Sequence, residues 1–329
     1  MNRLILIFII TLATLQVKAS EKYVVVFWNL ENFFDHIDQG TTESDKEFSS
    51  FGRRHWTKRK FHAKCDAVAK SLMWIGETYG RMPDVIGLAE IENRWVLWRL
   101  LETTLLRKYD YRIVHHESSD RRGIDVALLY RESVFREVST TLTTPVYEDK
   151  KLPTRDILQV CLENETGQKF NMMVNHHPSK YGGADESDGR RTAAMSTLRH
   201  ICDSLVTIGE EHIVAMGDFN DAPDGRQFAL LEGVLMNKAE SLFKAGKGTI
   251  RYHGKWELID MFMVSSSLAG FSEMSILQIP FLMTYERRYP GLKPLRTYTG
   301  PRYTGGVSDH CPIVLVVDGF KVANLKKIQ

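Results

Sequence analysis

The chain has 329 residues, and its 43 Lys and Arg residues nearly balance its 41 Asp and Glu residues. This length allows a large hydrophobic core in one or two domains. The balance of charge argues against a broad basic surface for nucleic acid, although local basic patches remain open.

The first 19 residues have the pattern of a secretory signal peptide. Arg3 supplies a positive start, residues 4–15 are apolar, and residues 17–19 fit a small-residue cleavage site. The apolar run is too short for a spanning helix, and a retained N-terminal anchor is the alternative. We therefore expect a secreted or periplasmic protein in which residues 20–329 form a single domain with no later transmembrane segment.

The cysteines give no sign of a zinc site. Cys65, Cys161, Cys202 and Cys311 lie far apart, and no pair has metal-ligand spacing. Disulfides in an oxidising compartment and buried free thiols are both open interpretations.

Hydrophobic periodicity predicts strands that alternate with helices early in the chain and hairpins later. This order indicates an α/β sandwich in one domain, with mixed sheets packed inside outer helices. The predicted elements are strand 22–34, helix 57–80 between a Thr57 cap and Gly80, strand 83–92, helix 93–108 capped by Asn93, strands 111–116 and 125–131, a hairpin over 156–177, helix 189–209, and strands 212–220, 256–265 and 311–319.

Polar residues stand where several predicted strands begin or end. One such residue is ordinary, because loops are polar, but the set has a chemical theme. Carboxylates bind hard cations, asparagine amides orient phosphate oxygens or water, and histidines stabilise charge at neutral pH. The set therefore predicts metal-assisted hydrolysis of a phosphate ester. Its members are Asn29, Glu31, Glu90, Asn175, His176, Asp218, Asn220, Asp260, Ser308, Asp309 and His310.

Seven segments stand in order and at plausible spacing along the chain. They are FWNLENF, GLAEIEN, RGIDVALLYR, VNHHPSKYGG, GDFNDAP, LIDMFMVS and GGVSDHCPIVL. Together they resemble the endonuclease/exonuclease/phosphatase superfamily, which includes deoxyribonuclease I-like nucleases, AP endonucleases, neutral sphingomyelinases and inositol-polyphosphate 5-phosphatases. The chain is similar to a secreted bacterial-type member over about residues 23–317. The resemblance implies two packed mixed β-sheets flanked by helices, a four-layer α/β sandwich of the deoxyribonuclease I type.

The resemblance also implies a metal site and substrate contacts. Glu90 matches the metal-binding glutamate, with Asn29 and Asp309 completing the site. We expect Mg²⁺, with Mn²⁺ or Ca²⁺ as alternatives. Asn29, Arg155 and Asn220 match substrate-binding residues, and a plain salt bridge is the alternative for Arg155.

The catalytic residues implied by the resemblance are His310, Asp218, Asn220, His176 and Asp260. Asp218 matches the aspartate that activates or orients the attacking water, and Asn220 matches its neighbour that binds the transition state. His310 matches the catalytic histidine held by Asp260, and His176 matches a phosphate-contacting histidine.

Four further residues depend on the fold. Asp125 is the candidate supporting partner of His176, with a buried capping acid as the alternative. Glu31 and Glu92 lie two positions beyond Asn29 and Glu90, so strand alternation allows either to join the site, and Glu31 is favoured. His177 points to the opposite face from its neighbour and is interpreted as structural.

Two segments combine basic and aromatic residues. Residues 53–60 (RRHWTKRK) could grip a nucleic-acid backbone or form a solvated helix start. Residues 293–306 (KPLRTYTGPRYTGG) could face substrate or form an ordered surface loop. The sequence does not decide either case.

The favoured function is an endonuclease in which DNA or RNA is the substrate, with no stable protein partner implied. The alternative is a phosphatase or sphingomyelinase-type phospholipase, acting on an inositol phosphate or lipid at the same site. A catalytically dead binding module is disfavoured, because His310, Asp218, Glu90, Asn220 and Asp260 are all retained.

Overall fold

The computed structural model describes residues 21–40, 44–180 and 184–320. The predicted signal peptide, residues 1–19, lies outside the described residues. Within the described ranges, no helix has both the length and the apolar character needed to cross a membrane.

The strands are numbered in chain order. They are β1 Glu21–Phe33, β2 Val85–Ile91, β3 Tyr111–His115, β4 Asp125–Arg131, β5 Phe135–Thr143, β6 Val146–Tyr147, β7 Lys150–Lys151, β8 Ile157–Asn164, β9 Lys169–His176, β10 Ile213–Asp218, β11 Met236–Asn237, β12 Ile250–Tyr252, β13 Lys255–Glu257, β14 Asp260–Val264, β15 Ser272–Ile276, β16 Met283–Glu286, β17 Gly291–Pro294, β18 Tyr298–Thr299, β19 Arg302–Tyr303 and β20 Ile313–Phe320.

The helices are α1 Asp45–Phe48, α2 Lys58–Tyr79, α3 Arg94–Thr103, α4 Ala184–Thr207, α5 Glu240–Lys244 and α6 Ser266–Ala269. Single turns of 3-10 helix cover Leu105–Lys108, Arg226–Leu231 and Pro280–Leu282.

Two mixed sheets, each six-stranded in the described residues, form the centre of the fold. Their strand orders are β15-β20-β1-β2-β4-β3 and β11-β14-β10-β9-β8-β5. The central pair of each sheet is parallel, β1 with β2 and β9 with β10, and the outer neighbours are antiparallel. With the flanking helices, these sheets confirm the predicted fold class.

The alternation of side chains along β1 separates two hydrophobic cores. Val25 and Phe27 pack into a core shared with β9 and β10 of the other sheet, whereas Val24 and Trp28 pack into a core shared with α2 and α3. Because successive side chains on a strand point to opposite faces, Asn29 continues the face of Val25 and Phe27. Asn29, the first polar residue after the apolar run of β1, therefore faces the space between the sheets.

Most predicted elements are confirmed, and the differences have local causes. Gly80 ends α2 with φ +73, the left-handed conformation that favours glycine. The predicted helix 93–108 instead ends at Thr103, because Thr104 is extended and the remaining residues form a 3-10 turn. Hydrophobic periodicity does not predict β5, because this edge strand is mostly exposed and therefore lacks an alternation of apolar and polar residues.

All four cysteines are free and buried, as the thiol interpretation expects, rather than joined in disulfides. Burial raises the pKa of Cys65, Cys202 and Cys311 to about 12. A thiol with such a pKa is a poor nucleophile at neutral pH, so these side chains act as packing residues.

Candidate active site

The two central parallel pairs bring their polar end residues together. Asn29 lies near the end of β1, and His176 and Asp218 close β9 and β10. The Nδ2 of Asn29 donates a hydrogen bond of 3.0 Å to Oδ2 of Asp218. This bond joins the first sheet to the second at the centre of the candidate site.

His310 and Asp260 form a buried ion pair beside Asp218. The Nδ1 of His310 lies 2.8 Å from Oδ2 of Asp260, and its Nε2 lies 3.9 Å from Oδ2 of Asp218. The backbone on either side of the ring is fixed, since Ser308 Oγ accepts from the amide of His310 and Trp28 Nε1 donates to its carbonyl. The imidazole is therefore held with one nitrogen on a carboxylate and the other facing Asp218.

The electrostatics of this trio favour a charged histidine and a basic aspartate. Burial opposes the imidazolium of His310, but the Asp260 carboxylate outweighs it and holds the pKa of His310 well above its ordinary value. Burial, followed by repulsion from Asp260, raises the pKa of Asp218 to about 7. A carboxyl group with a pKa near neutrality is suited to accept a proton in a general-base step.

The Oδ2 atom of Asp218 is the point at which several side chains meet. Besides the bond from Asn29, it lies 3.7 Å from Nε2 of His176 and 3.9 Å from Nε2 of His310. The other oxygen, Oδ1, accepts the backbone N–H of Asn220 at 2.9 Å. The carboxylate is thus fixed by its own turn and directs one oxygen into the site.

Close strand packing requires glycine immediately before this aspartate. A Cβ atom added to Gly217 would lie 2.4 Å from the carbonyl oxygen of Asn175 on β9. Asn220, two residues past the aspartate, has φ +52 and donates through Nδ2 to the carbonyl of His177 at 2.9 Å. The motif GDFN is therefore shaped by contacts across the β9–β10 pair.

His176 is buried and uncharged at neutral pH. Burial, followed by the nearby positive charges of Arg155 and Arg122, lowers its pKa well below the ordinary value. Its Nδ1 has no hydrogen-bond partner among the described residues. His177 is also buried, with a pKa lowered to about 3, and packs edge-on against Phe219, which agrees with its structural interpretation.

Asp125, the predicted partner of His176, has its described contacts on its own sheet. It lies 3.3 Å from Nε2 of His115 and accepts the backbone N–H of Ser118 at 2.8 Å. β4, which begins at Asp125, pairs with β3 and β2. The role of Asp125 beside His176 stays a prediction.

Arg155, predicted to contact substrate, has three described partners. Its guanidinium is buried, donates to the carbonyl oxygens of His176 and His177, and forms an ion pair of 2.9 Å with Asp120. Arg155 therefore holds the end of β9 in place, as the salt-bridge alternative expects. Its contact with substrate stays a prediction.

Glu31 and Asp309 form an acidic edge beside the catalytic trio. The guanidinium of Arg296 spans them, with Nε 2.7 Å from Glu31 and Nη2 3.1 Å from Asp309. Beneath them, the buried ammonium of Lys64 donates to the carbonyl of Glu31 at 2.6 Å. Burial and then the Asp309 charge raise the pKa of Glu31 to about 7, and burial lowers that of Lys64 to about 8.

Glu90, the predicted metal ligand, faces the same edge from β2. Its Oε2 accepts the backbone N–H of Asn32 at 2.7 Å and lies 3.6 Å from Nη2 of Arg122. The positive charge of Lys64 acts on all three carboxylates of this edge. Carboxylate oxygens are the donor type that a hard divalent cation takes. In the catalytic trio itself, Asp218, Asp260 and His310 place their ligand atoms within 4.8 Å of one another.

Four of the eight non-glycine residues with positive φ in the described residues lie at or beside the site. Glu31, Asn32, Glu90 and Asn220 adopt φ values of +46, +51, +61 and +52. The left-handed region is uncommon for residues other than glycine, and such strain persists where the surrounding structure enforces it. Each strained residue here belongs to the site or directly contacts it.

Glu31 joins the site, whereas Glu92 does not. Because side chains alternate along β1, Glu31 is expected on the same face as Asn29. It is the favoured residue of the two, although the predicted metal set does not include it. Glu92 accepts the backbone N–H of Asp35 at 2.6 Å, away from the acidic edge. Lys64 and Arg296 were missed, although a lysine on the apolar face of the predicted helix 57–80 is itself an unusual feature.

The two segments that mix basic and aromatic residues meet beside the acidic edge. Trp56 of residues 53–60 is buried and packs against Tyr298 and Tyr303 of residues 293–306, with ring centroids 6.1 and 6.5 Å apart. The second segment also carries the arginine that spans the acidic edge. The two segments therefore form one basic ridge next to the site, with the rings of Trp56 and Tyr298 buried inside it.

The pattern of the endonuclease/exonuclease/phosphatase family matches residues 24–319. The chain belongs to this family. Members of the family are metal-dependent phosphoric-ester hydrolases, so hydrolysis of a phosphate ester is the activity that the comparison supports. No curated protein matches the chain.

Solved structures with the same fold align with most of this chain. An endonuclease/exonuclease/phosphatase family protein from Bacteroides thetaiotaomicron is 16% identical with a TM-score of 0.60, over 92% of this chain and 100% of that chain. A mannosyl-6-phosphatase from Bacteroides thetaiotaomicron is 16% identical with a TM-score of 0.57, over 90% and 99%. D. rerio TDP2, complexed with single strand DNA product, is 16% identical with a TM-score of 0.52, over 90% and 98%. At these identities the likeness shows the fold alone.

Proposed function

We propose that this chain is a metal-dependent phosphodiesterase that acts as an endonuclease on DNA or RNA. The observation that carries the proposal is the surroundings of Asp218 Oδ2, which faces Asn29, His176 and His310 next to an edge of three carboxylates. The arrangement brings together the carboxylate of Asp218, whose pKa is raised, the charged imidazolium of His310 and the neutral imidazole of His176.

Glu31, Glu90 and Asp309 would hold the metal, with Asn29 beside them. Mg²⁺ fits this oxygen donor set, and Mn²⁺ or Ca²⁺ are alternatives. When bound, the metal would polarise the phosphate and neutralise part of its developing charge. Arg296, which now spans two of these carboxylates, would then be free to turn toward the substrate.

The residues of the chain would carry the proton transfers. Asp218 would orient the attacking water and accept its proton, as its raised pKa allows. His310, kept charged by Asp260, would stabilise the developing oxyanion or protonate the leaving group. His176 and Asn220 would orient phosphate oxygens through neutral donors.

Two observations support nucleic acid as the substrate. The basic ridge beside the site exposes cations, among them Arg53, Arg59 and Arg302, and such cations bind a nucleic-acid strand through its phosphates. One solved structure with this fold, D. rerio TDP2, contains a single strand DNA product. The signal-like residues 1–19 further support export, so the substrate would be extracellular or periplasmic.

A phosphomonoesterase is the second candidate, because another solved structure with this fold is a mannosyl-6-phosphatase. Such an enzyme would use the same carboxylates and histidines. The ridge would then bind the remainder of a small substrate.

The purified chain should be assayed with plasmid DNA, RNA, inositol polyphosphates, sphingomyelin and a sugar phosphate, in Mg²⁺ and in EDTA. We expect Mg²⁺-dependent cleavage of nucleic acid that is lost in His310→Ala and retained in His200→Ala, an exposed histidine on α4. Release of phosphate from a monoester alone would favour the second candidate. Activity that survives His310→Ala would contradict both.

A further inference from the structure

A second cluster of metal-ligating side chains lies outside the candidate active site. His115, Glu117 and Asp125 each direct a ligand atom to one point, and these atoms lie within 4.8 Å of one another. β3 ends at His115 and β4 begins at Asp125. Because the two strands pair antiparallel, with His115 opposite Ala127, the hairpin itself holds the cluster together.

Two buried atoms of the cluster lack a hydrogen bond. Nε2 of His115 and Oδ2 of Asp125 have no hydrogen-bond partner in the described part of the chain, and their side chains are 2% and 3% exposed. They lie 3.3 Å apart, which is longer than the ~2.7–2.9 Å of a charge-assisted hydrogen bond. The carboxyl of Glu117 interacts with that of Asp125. Buried polar atoms normally have hydrogen-bond partners, so one ligand bound by both atoms would satisfy them.

The orientation of Asp125 is fixed by its other oxygen. Oδ1 accepts the backbone N–H of Ser118 at 2.8 Å, so Oδ2 is left to face His115. Glu117 is exposed and closes the cluster from the solvent side.

One imidazole nitrogen and two carboxylate oxygens select a particular class of cation. Mg²⁺ and Ca²⁺ prefer oxygen ligands alone, whereas Zn²⁺ and Mn²⁺ accept this mixed set. Two donors held about 2.1 Å from one metal at tetrahedral or octahedral angles lie roughly 3.0–3.4 Å apart. The 3.3 Å between His115 and Asp125 agrees with that spacing.

We propose that His115, Glu117 and Asp125 bind a Zn²⁺ or Mn²⁺ ion at a site separate from the hydrolytic centre. This ion ties both ends of the loop 116–124. The loop carries Arg122, which contacts Asn32 at 2.9 Å and lies 3.6 Å from Glu90. The ion therefore holds one rim of the cleft and has a structural role, without contacting substrate.

The test uses the full chain after EDTA treatment and desalting, titrated with Zn²⁺ and separately with Mn²⁺. Metal bound per chain after dialysis and the shift in Tm are the readouts. Both are measured in a Glu90→Gln background, which removes one ligand of the hydrolytic centre. Glu117→Gln is the main variant because Glu117 is exposed, and His116→Ala, its exposed neighbour, is the matched control.

We expect Glu117→Gln and His115→Ala to weaken Zn²⁺ binding at least tenfold and to abolish the metal-dependent rise in Tm, while His116→Ala changes neither. Should His115→Ala fail to fold, Glu117→Gln decides alone. Equal Zn²⁺ and Mn²⁺ binding by Glu117→Gln and its parent would overturn the proposal, and a proton shared between the two carboxylates would then explain their proximity. Loss of binding in His116→Ala alone would overturn it as well.

Discussion

The ion pair between His310 and Asp260 gives the most quantitative prediction. Asp260→Asn keeps the shape of the side chain but removes the charge that lies 2.8 Å from Nδ1 of His310. A hydrogen bond to a charged group contributes about 1.5–3 kcal/mol, and each 1.36 kcal/mol in a barrier is a factor of ten. If the pair stabilises the imidazolium in the transition state, kcat should fall about 10- to 150-fold.

The variant should also change the pH profile. Burial already disfavours the imidazolium, and Asp260 is the main charge that offsets it, so its removal lowers the pKa of His310. The basic limb of kcat/KM for a phosphodiester reporter should therefore move to lower pH. Asp203→Asn, in an exposed ion pair on α4, is the control and should leave both quantities unchanged. A profile that does not move, with kcat within threefold of the parent, would refute this reasoning.

Three further predictions follow from the site. Glu31→Gln should weaken the Mg²⁺ dependence of turnover at least tenfold in a Mg²⁺ titration, whereas Glu92→Gln should leave it unchanged; equal effects would exclude Glu31 from the metal edge. Arg155→Met should lower the free energy of unfolding by about 3–5 kcal/mol in urea, because it leaves the buried carboxylate and carbonyls that it binds without a partner, and a loss under 1 kcal/mol would contradict its structural role. Since burial raises the pKa of Glu92 to about 8, the folded state holds a proton that the unfolded chain releases, so Glu92→Gln should make the change in the free energy of unfolding between pH 5.5 and pH 8 in EDTA less negative than in the parent; equal slopes would contradict this shift.

Local sequence signals located the parts of the site that depend on single strands. Asp218 and Asn220 follow an apolar run. Gly217, just before them, packs so closely against the neighbouring strand β9 that a side chain would not fit there. Asp260 and His310 were paired by resemblance, and the ion pair confirms their proximity. These residues could be predicted because each one lies at the end of a strand of the central sheets or within three residues of it.

The remaining residues of the site depend on long-range packing that periodicity does not describe. Arg155 contacts carbonyl oxygens that become available only when β9 ends beside it. Lys64 reaches Glu31 across the fold, and Arg296 comes from a loop over 230 residues later in the chain than Lys64. The exposed edge strand β5 was missed for a related reason. Its pairing with β8, and not the pattern of its own residues, makes it a strand.

The most direct test of the proposed chemistry is the turnover of Asp218→Asn. Asp218 is the residue on which Asn29, His176 and His310 converge, and the account gives it the task of accepting the proton of the attacking water. Single-turnover cleavage of a labelled DNA in Mg²⁺ should slow by about 10²–10⁴-fold, while DNA affinity stays within threefold of the parent. Wild-type cleavage by Asp218→Asn would contradict the account.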